Sequence, residues 1–286
     1  MAEQYTVGVV CIRGIGPERG GRSYNEDNYL VCHQGRAQYR GTSGDMDVVA
    51  PGAGLLAVVA DGMGGHEHGD IASGAAVQSM LRLYAKGRPV SPEKALHTFV
   101  LRAHNRLRDR AVSHGAENMG TTLTAIWAVD GEVSWVHVGD SRLYLLRGGM
   151  LTQLTRDHTR GEFAGRDGRE QPWGARALTQ NFIFGSRGLG DDPGIRVDAG
   201  IDTGSLRLQR QDRLLLTSDG VHGFLERGQL EAGLAGKFAP EAARWLVEEA
   251  MGSGSDDNVT ALVISVDALA GGSTRDAFAR WSDTLD

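Results

Sequence analysis

Three apolar runs in this chain each stop on an aspartate. They are LLAVVAD ending at Asp61, VSWVHVGD ending at Asp140 and RLLLTSD ending at Asp219, and a small residue follows each acid. Short apolar runs bounded by turn residues are typical of buried strands. If these strands lie side by side in a sandwich, their ends share one rim. The sequence therefore predicts that the three carboxylates lie close together.

Two further acidic residues, Asp27 and Asp257, flank predicted strands. Any one of these acids is explained by an ordinary turn or loop. Five carboxylates at one rim would repel each other and would therefore need added protons or a cation between them. Oxygen-only ligands favour Mg²⁺ or Mn²⁺ over zinc. The glycines after Asp61 allow a sharp turn, and the Gly62 carbonyl offers one more oxygen.

The remaining pattern favours an α+β fold with antiparallel sheets. Asp130-Gly131 and Gly148-Gly149 each separate two strand-like runs, which predicts two hairpins. Helical periodicity is found over 70–84, 91–114, 224–235 and 239–251, so the helices come in pairs between groups of strands. Residues 35–53 have no period and are predicted to form a loop. Grouped helices and hairpins indicate antiparallel sheets covered by helices and not alternating β-α-β units.

Composition limits the partners and the location. The chain has 286 residues and a formal net charge of −6, which argues against nucleic acid or an anionic membrane as the main partner. No apolar run is long enough to span a membrane, and the N-terminus has no secretory signal, so a cytoplasmic location is expected. Cys11 and Cys32 are expected to be reduced thiols in the core. With no linker dividing two cores, one domain is expected over 1–267, followed by a short polar tail over 268–286.

Seven motifs occur in an order that matches a known family. They are Arg-x-x-Asn-Glu-Asp (22–27), Asp-Gly-Met-Gly-Gly-His (61–66), Gly-Thr-Thr-Leu-Thr (120–124), Val-Gly-Asp-Ser-Arg (138–142), Leu-Thr-x-Asp-His-Thr (154–159), Ser-Asp-Gly (218–220) and Asp-Asn-Val-Thr (257–260). The chain resembles the bacterial metal-dependent serine/threonine protein phosphatases of type 2C over roughly residues 6 to 266. The resemblance implies a central sandwich of two antiparallel β-sheets flanked by pairs of helices, an αββα arrangement.

The resemblance also implies two metal ions, Mn²⁺ or Mg²⁺. Asp61 resembles the carboxylate that bridges them, and the Gly62 carbonyl resembles the neighbouring ligand. Asp27 resembles a ligand to one ion. Asp219 and Asp257 resemble ligands to the other; Asp257 is preferred to its neighbour because it directly precedes the Asn-Val-Thr of its motif.

Two more residues take roles from the same resemblance. Asp140 resembles a residue that helps Asp219 to hold a third, weaker metal, and Arg22 resembles the arginine that binds the substrate phosphate with its planar fork. The implied reaction is direct hydrolysis of phosphoserine or phosphothreonine in proteins by a water that bridges two metals. The implied catalytic set is thus Asp27, Asp61, Asp219 and Asp257. A phosphorylated protein substrate, a cognate Ser/Thr kinase and a monomeric state are expected.

Two other functions stay open on the sequence. One is a pseudophosphatase that binds phosphoprotein without cleaving it, although the intact ligand set disfavours it. The other is a phosphatase that acts on a phosphoserine in a sigma-factor regulator. The residue after Asp-Gly, a histidine in some relatives, is Met63 here, which leaves the general acid open. Residues 160–175 are rich in glycine and arginine, and they are predicted to act as a flap that selects the protein substrate. The alternative is a solvated loop whose Trp173 packs into the core.

Overall fold

The computed structural model describes residues 3–40, 47–48, 53–63, 69–113, 120–159 and 200–269. Its centre consists of two antiparallel sheets. The five-stranded sheet has the order β1 (Gln4–Ile12), β14 (Val259–Ala268), β13 (Arg213–Thr217), β10 (Arg142–Arg147), β11 (Met150–Gln153). The seven-stranded sheet has the order β12 (Asp202–Arg207), β9 (Glu132–Val138), β8 (Leu123–Val129), β5 (Leu55–Ala60), β2 (Asn28–His33), β3 (Arg36–Tyr39), β4 (Asp47–Val48). A short pair, β6 (Gly62–Met63) and β7 (Gly120–Thr121), lies beside them.

Helices cover the outer face of each sheet. The seven-stranded sheet packs against α1 (Gly69–Tyr84) and α2 (Pro92–Ser113). The five-stranded sheet packs against α3 (Asp219–His222), α4 (Arg227–Leu234) and α5 (Ala239–Gly252). Among the described residues, no helix has the length and apolar character needed to cross a membrane. The predicted αββα arrangement is therefore confirmed.

Both faces of the central strands are buried, which explains their continuous apolar runs. In β5, Leu55 and Val59 pack between the two sheets, whereas Leu56 and Val58 pack under α1 and α2. The same alternation occurs in β13, where Leu215 packs against the helices, whereas Leu214 and Leu216 pack between the sheets. Because successive side chains of a strand point to opposite faces, a strand between two apolar layers has no polar face. These strands consequently end in polar residues only where they leave the sandwich.

The predicted hairpins are confirmed. β8 and β9 are joined by Asp130 and Gly131, which have φ of 54° and 73°. β10 and β11 are joined by Gly148 and Gly149, which have φ of 57° and 81°. Positive φ at both central residues is the geometry of the two-residue turn that matches the twist of paired strands. Cys11 and Cys32 are unpaired thiols, as expected, and Cys32 is buried.

Three sequence predictions are wrong in detail. The predicted loop 35–53 contains β3 and β4, because the turn after β2 lets the chain pair back onto that strand. The strand β12 was not predicted from its polar sequence DTGSLR, and it forms by pairing along β9. The predicted helix 224–235 is shorter, because Glu226 and Gln229 form a capping box that starts α4 at Arg227. The predicted flap 160–175 and most of the tail 268–286 lie outside the described residues.

Candidate metal centre

The structure brings the five predicted carboxyl groups to one rim of the sandwich. Asp61 follows β5, Asp140 follows β9, and Asp219 begins α3 just after β13. Asp27 directly precedes β2, and Asp257 lies two residues before β14. Burial raises the pKa of the Asp61 carboxyl well above its usual range, and nearby negative charges raise it further. Those charges come from the other four carboxylates: Asp27, Asp219, Asp140 and Asp257.

Two threonines fix the backbone at Asp61. The Asp61 amide donates to Thr122 Oγ1 at 2.9 Å, and the Asp61 carbonyl accepts from the Thr122 amide at 2.8 Å. Thr121 Oγ1 donates to the same carbonyl at 2.9 Å. The Thr-Thr pair of the Gly-Thr-Thr-Leu-Thr motif therefore pairs every backbone polar group of Asp61. Its carboxyl group is left to point into the rim with a fixed position.

Gly62 cannot carry a side chain in this fold. A Cβ at this position would lie 2.1 Å from the Gly69 carbonyl oxygen and 2.6 Å from the Glu26 carbonyl oxygen. Both contacts are with backbone atoms, so no side-chain rotation could relieve them. The Gly62 amide donates to the Glu26 carbonyl at 3.2 Å. This close approach joins the turn after β5 to the segment that carries Asp27.

The Asp27 carboxylate is fully buried between the sheets. Its Oδ2 accepts hydrogen bonds from Ser218 Oγ at 2.7 Å and from Thr260 Oγ1 at 2.6 Å. Its Oδ1 is buried and has no hydrogen-bond partner among the described residues. Burial raises the pKa of Asp27, the two hydroxyl groups lower it, and the charges of Asp219 and Asp257 raise it. A buried carboxylate oxygen without a protein donor suits a cation.

Asn258 ties the last motif to the first. Its side-chain oxygen accepts from the Glu26 amide at 2.8 Å, and its side-chain nitrogen donates to the carbonyls of Arg13 and Tyr24 at 3.0 and 2.9 Å. The Asn258 amide donates to Asp257 Oδ1 at 2.8 Å. These contacts fix the position of the Asp257 carboxylate relative to the segment before β2.

Arg22 reaches the same carboxylate from solvent. Its Nη2 lies 2.6 Å from Asp257 Oδ2, and the arginine side chain is 53% exposed. The hydrogen bond with Asp257 raises the pKa of Arg22, and the charges of Asp61 and Asp219 add to this effect. The charge of the Arg22 guanidinium is thus linked to three of these acids, Asp257, Asp61 and Asp219, and part of its fork remains accessible.

A buried pair of histidines supports the turn at Asp140. His158 Nδ1 accepts from the Gly139 amide at 3.1 Å, and His158 Nε2 lies 3.2 Å from Asp202 Oδ2. His137 packs on His158 with ring centroids 4.8 Å apart. Burial raises the pKa of Asp140 to about 7, and the charges of Asp219 and Asp157 add to the rise.

Sequence reasoning missed the second layer of this site. The role of His137 and Asp202 was not predicted, because β12 itself was not recognised. Arg142 forms a fork with Asp157, with Nε at 2.9 Å from Oδ1 and Nη2 at 2.7 Å from Oδ2. Arg142 belongs to the motif Val-Gly-Asp-Ser-Arg, and Asp157 belongs to the motif Leu-Thr-x-Asp-His-Thr. Their presence in these motifs was the sequence signal from which a role could have been predicted. The contacts of His158 with the Gly139 amide and Asp202 give it a structural role.

The chemistry of the rim fits hard divalent ions. The candidate ligands are carboxylate and carbonyl oxygens, and repulsion among them favours a bound positive charge. In the described part of the chain, no three acidic, histidine or cysteine side chains converge closely enough to hold one ion as they stand. The reason is visible for Asp257, whose Oδ2 is engaged by Arg22. Binding an ion there requires this carboxylate to release the arginine, whereas Asp27 keeps its buried Oδ1 available beside the two hydroxyl groups that hold Oδ2.

Comparison with known proteins agrees with the geometry. The family described as "Protein phosphatase 2C" matches residues 45–251. The serine/threonine protein phosphatase PstP of Mycobacterium tuberculosis is 36% identical over 222 residues, which cover 77% of this chain. This chain spans only 42% of the length of that relative. The serine/threonine phosphatase stp of Listeria monocytogenes is 30% identical over 235 residues, covering 78% of this chain and 88% of the relative.

Solved structures show the same fold. The crystal structure of the Mycobacterium tuberculosis phosphatase PstP superposes with a TM-score of 0.72 at 28% identity, covering 92% of this chain and 99% of that one. The catalytic domain of PstP in complex with two manganese ions gives a TM-score of 0.71 at 27% identity, with the same coverage. Because the family match extends over more than half of the sequence and the fold and motifs agree with it, the chain belongs to the protein phosphatase 2C family.

Proposed function

We propose that this chain hydrolyses phosphoserine and phosphothreonine in proteins and so reverses the action of a Ser/Thr kinase. The observation that supports this most directly is the rim that holds five acids at separate strand ends, where the charges of the other four act on Asp61. Repulsion among these acids destabilises the folded protein when no cation is bound, and the same acids bind cations when they are present. The relatives named above are serine/threonine protein phosphatases, and one of them has been seen with two manganese ions.

Each carboxylate takes its proposed role from the family resemblance, and its place in the rim is compatible with that role. Asp61 would hold both ions, and the Gly62 carbonyl would add a ligand beside it. Asp27 serves the first ion through the buried oxygen that has no protein donor among the described residues. Asp219 and Asp257 serve the second. The ions are Mn²⁺ or Mg²⁺, since oxygen ligands do not favour softer metals.

Asp140 is assigned to a third, weaker site that it shares with Asp219. The support is electrostatic, because the charge of Asp219 adds to the raised pKa of Asp140. Asp140 also sits on a turn whose Gly139 amide is held by His158, which fixes its position. A third ion is therefore expected to bind after the first two and to dissociate more readily.

The reaction needs a nucleophile, charge neutralisation and a positioned phosphate. When bound, the two ions lower the pKa of water so that hydroxide is available for in-line attack on phosphorus. Arg22 binds two oxygens of the phosphoryl group with its fork and neutralises charge that develops there. To bind the phosphoryl group, Arg22 turns away from Asp257, and the Asp257 carboxylate then serves as a metal ligand. One rotation of the arginine thus frees both the cation for substrate and the carboxylate for metal.

Hydrolysis of a phosphothreonine peptide tests this proposal. Phosphate release is measured with Mn²⁺, after exhaustive chelation, and after Mn²⁺ is restored. We expect the activity of the wild type to be lost on chelation and recovered when Mn²⁺ is restored. We expect Asp61→Asn to remove most of the activity measured with Mn²⁺, both before chelation and after Mn²⁺ is restored. Activity that persists after chelation would refute the proposal. Binding of the peptide without phosphate release in the Mn²⁺-loaded wild type would instead indicate a phosphoprotein-binding regulator.

Five narrower properties are proposed as well. We propose a single phosphatase domain over residues 1–267, a monomeric state and a cytoplasmic location. A dedicated kinase partner follows from the reaction, since the substrate must first be phosphorylated. Residues 160–175 are proposed to select the protein substrate, and replacing them with a short Gly-Ser linker tests this. Turnover of p-nitrophenyl phosphate should stay within severalfold of wild type, whereas a phosphoprotein should be processed much more slowly.

A further inference from the structure

A groove runs between α1 and α2 on the outer face of the seven-stranded sheet. Its volume is about 650 Å³, and it is open to solvent along one side. Leu83 and Phe99 contribute apolar surface to its wall, and Phe99 is only half-buried. At its mouth Val90 is fully exposed. An open groove with this much apolar surface is the kind of site in which an amphipathic segment buries its apolar face.

The border of the groove is positively charged. Four exposed cationic side chains line it, and no described residue of the lining is acidic: Arg82, Lys86, Lys94, Arg102. Lys86 Nζ lies 4.8 Å from the centroid of the Phe99 ring. Glu93, the acid next to Lys94 in sequence, accepts a hydrogen bond from Thr203 Oγ1 on β12 at 3.1 Å and does not line the groove. The groove thus suits an occupant with apolar anchors and acidic groups.

The described chain ends close to this groove. β14 ends at Ala268, opposite the first residues of β1. Directly before β1, the Glu3 carboxylate accepts a hydrogen bond from the Gly131 amide. The neighbouring residue of that turn, Asp130, forms an ion pair with Arg88. The two residues that follow Arg88 line the groove, so a short series of contacts joins the end of β14 to the mouth of the groove.

The sequence after β14 has the chemistry that the groove requires. Phe278, Trp281 and Leu285 occur at spacings of three and four residues, which places them on one face of a helix. Residues 277–286 contain two acids, Asp283 and Asp286, and one basic residue, Arg280, which lies away from the apolar face on a helix. Residues 270–277 separate β14 from this stretch, and eight extended residues span about 26 Å.

We propose that residues 277–286 bind as an amphipathic helix in the α1–α2 groove of the same chain. The three apolar side chains pack against the wall that includes Leu83 and Phe99. Of the two acids, Asp286 lies nearer the apolar face of such a helix and is placed toward the cationic border. This intramolecular contact is independent of the phosphatase reaction, and its test measures binding alone.

The first experiment uses a fluorescein-labelled peptide of residues 270–286 and the chain truncated after Leu269. Fluorescence anisotropy should show saturable binding in the micromolar range. The double reversal Lys94→Glu with Arg102→Glu should weaken this binding by roughly tenfold or more, since opposite charges across an interface become like charges. Arg244→Glu is the matched control, because Arg244 is an exposed helical arginine on α5, on the opposite side of the sandwich. It should leave the affinity unchanged.

The second experiment asks whether the segment occupies its own groove. The labelled peptide should bind the full chain at least about tenfold more weakly than the truncated chain, because a tethered segment has a high effective concentration. No saturable binding to the truncated chain, or equal affinities for the two chains, would overturn the proposal. Equal weakening by the control reversal would also overturn it. A concentration-dependent dimer of the full chain that the groove reversal abolishes would replace it with docking between two copies.

Discussion

Asn258→Ala should destabilise the protein strongly, although Asn258 is not a proposed metal ligand. Its side chain is 4% exposed and makes three hydrogen bonds to backbone groups of the segment that precedes Asp27. Each such bond contributes about 1 kcal/mol, and the groups left behind cannot all reach water. We therefore expect the free energy of unfolding to fall by about 3 kcal/mol. In a domain of this size that corresponds to a fall in Tm of roughly 6–12 °C.

Urea denaturation followed by tryptophan fluorescence measures this loss. Gln153→Ala is the matched control, because it removes a carboxamide that also makes hydrogen bonds, to Thr155 and Asp157, but on an exposed side chain. Water replaces those bonds, so the control should lose less than about 1 kcal/mol. If Asn258→Ala lost no more than Gln153→Ala, the inference that Asn258 holds the two motifs together would be refuted.

Three other perturbations give separate tests. Arg22→Ala should lower kcat/KM by roughly tenfold to hundredfold and weaken Mn²⁺ binding far less, because the fork contributes about 1.5–3 kcal/mol to phosphate binding; unchanged kinetics would show that it is a surface arginine without a role. Gly62→Ala should lower both Tm and Mn²⁺ affinity, because its Cβ would lie 2.1 Å from a backbone oxygen. Gly228→Ala in α4 should preserve both, because no atom lies within 4 Å of a Cβ at that position. Added Mn²⁺ should raise Tm more at about pH 7.5 than at about pH 5.5; a larger rise at the lower pH would contradict the assignment of the acids.

The sign of the pH effect follows from the raised pKa values of the rim acids. In the folded protein without metal, burial raises the pKa of Asp61 and Asp27, and it raises that of Asp140 to about 7. Between the unfolded value near 3.8 and about 7, the folded state binds more protons than the unfolded state. These protonated acids therefore stabilise the metal-free protein at low pH, and their contribution to the free energy of unfolding is lost as the pH rises. Mn²⁺ competes with those protons, so its stabilising effect grows with pH.

Part of this structure follows from local patterns. The runs ending at Asp61 and Asp219 identify β5 and β13, because a strand buried on both faces has no polar residue until it leaves the sandwich. The turns at Asp130-Gly131 and Gly148-Gly149 fix two hairpins, because few residues other than these tolerate positive φ. Motif order then gave the candidate ligands.

The rest depends on contacts between distant parts of the chain. β12 lacks a strand pattern and forms only because β9 presents an edge to it. The contact between His158 Nε2 and Asp202 Oδ2 could not be predicted without that pairing. Similarly, nothing local marks Ser218 and Thr260 as donors to Asp27, since the three residues meet only when β13, β14 and β2 come together at the rim. Neither hydroxyl was therefore among the predicted site residues.

Calorimetric titration of the chelator-treated chain with Mn²⁺ tests the central claim, that the carboxylates at the strand ends form a site for divalent ions. We expect at least two ions per chain to bind, with protons released at neutral pH because the raised pKa values leave some acids protonated. Asp61→Asn should remove the tight binding, while its far-ultraviolet circular dichroism should match that of wild type. Absence of Mn²⁺ binding in the wild type, or unchanged stoichiometry and affinity in Asp61→Asn, would contradict the claim.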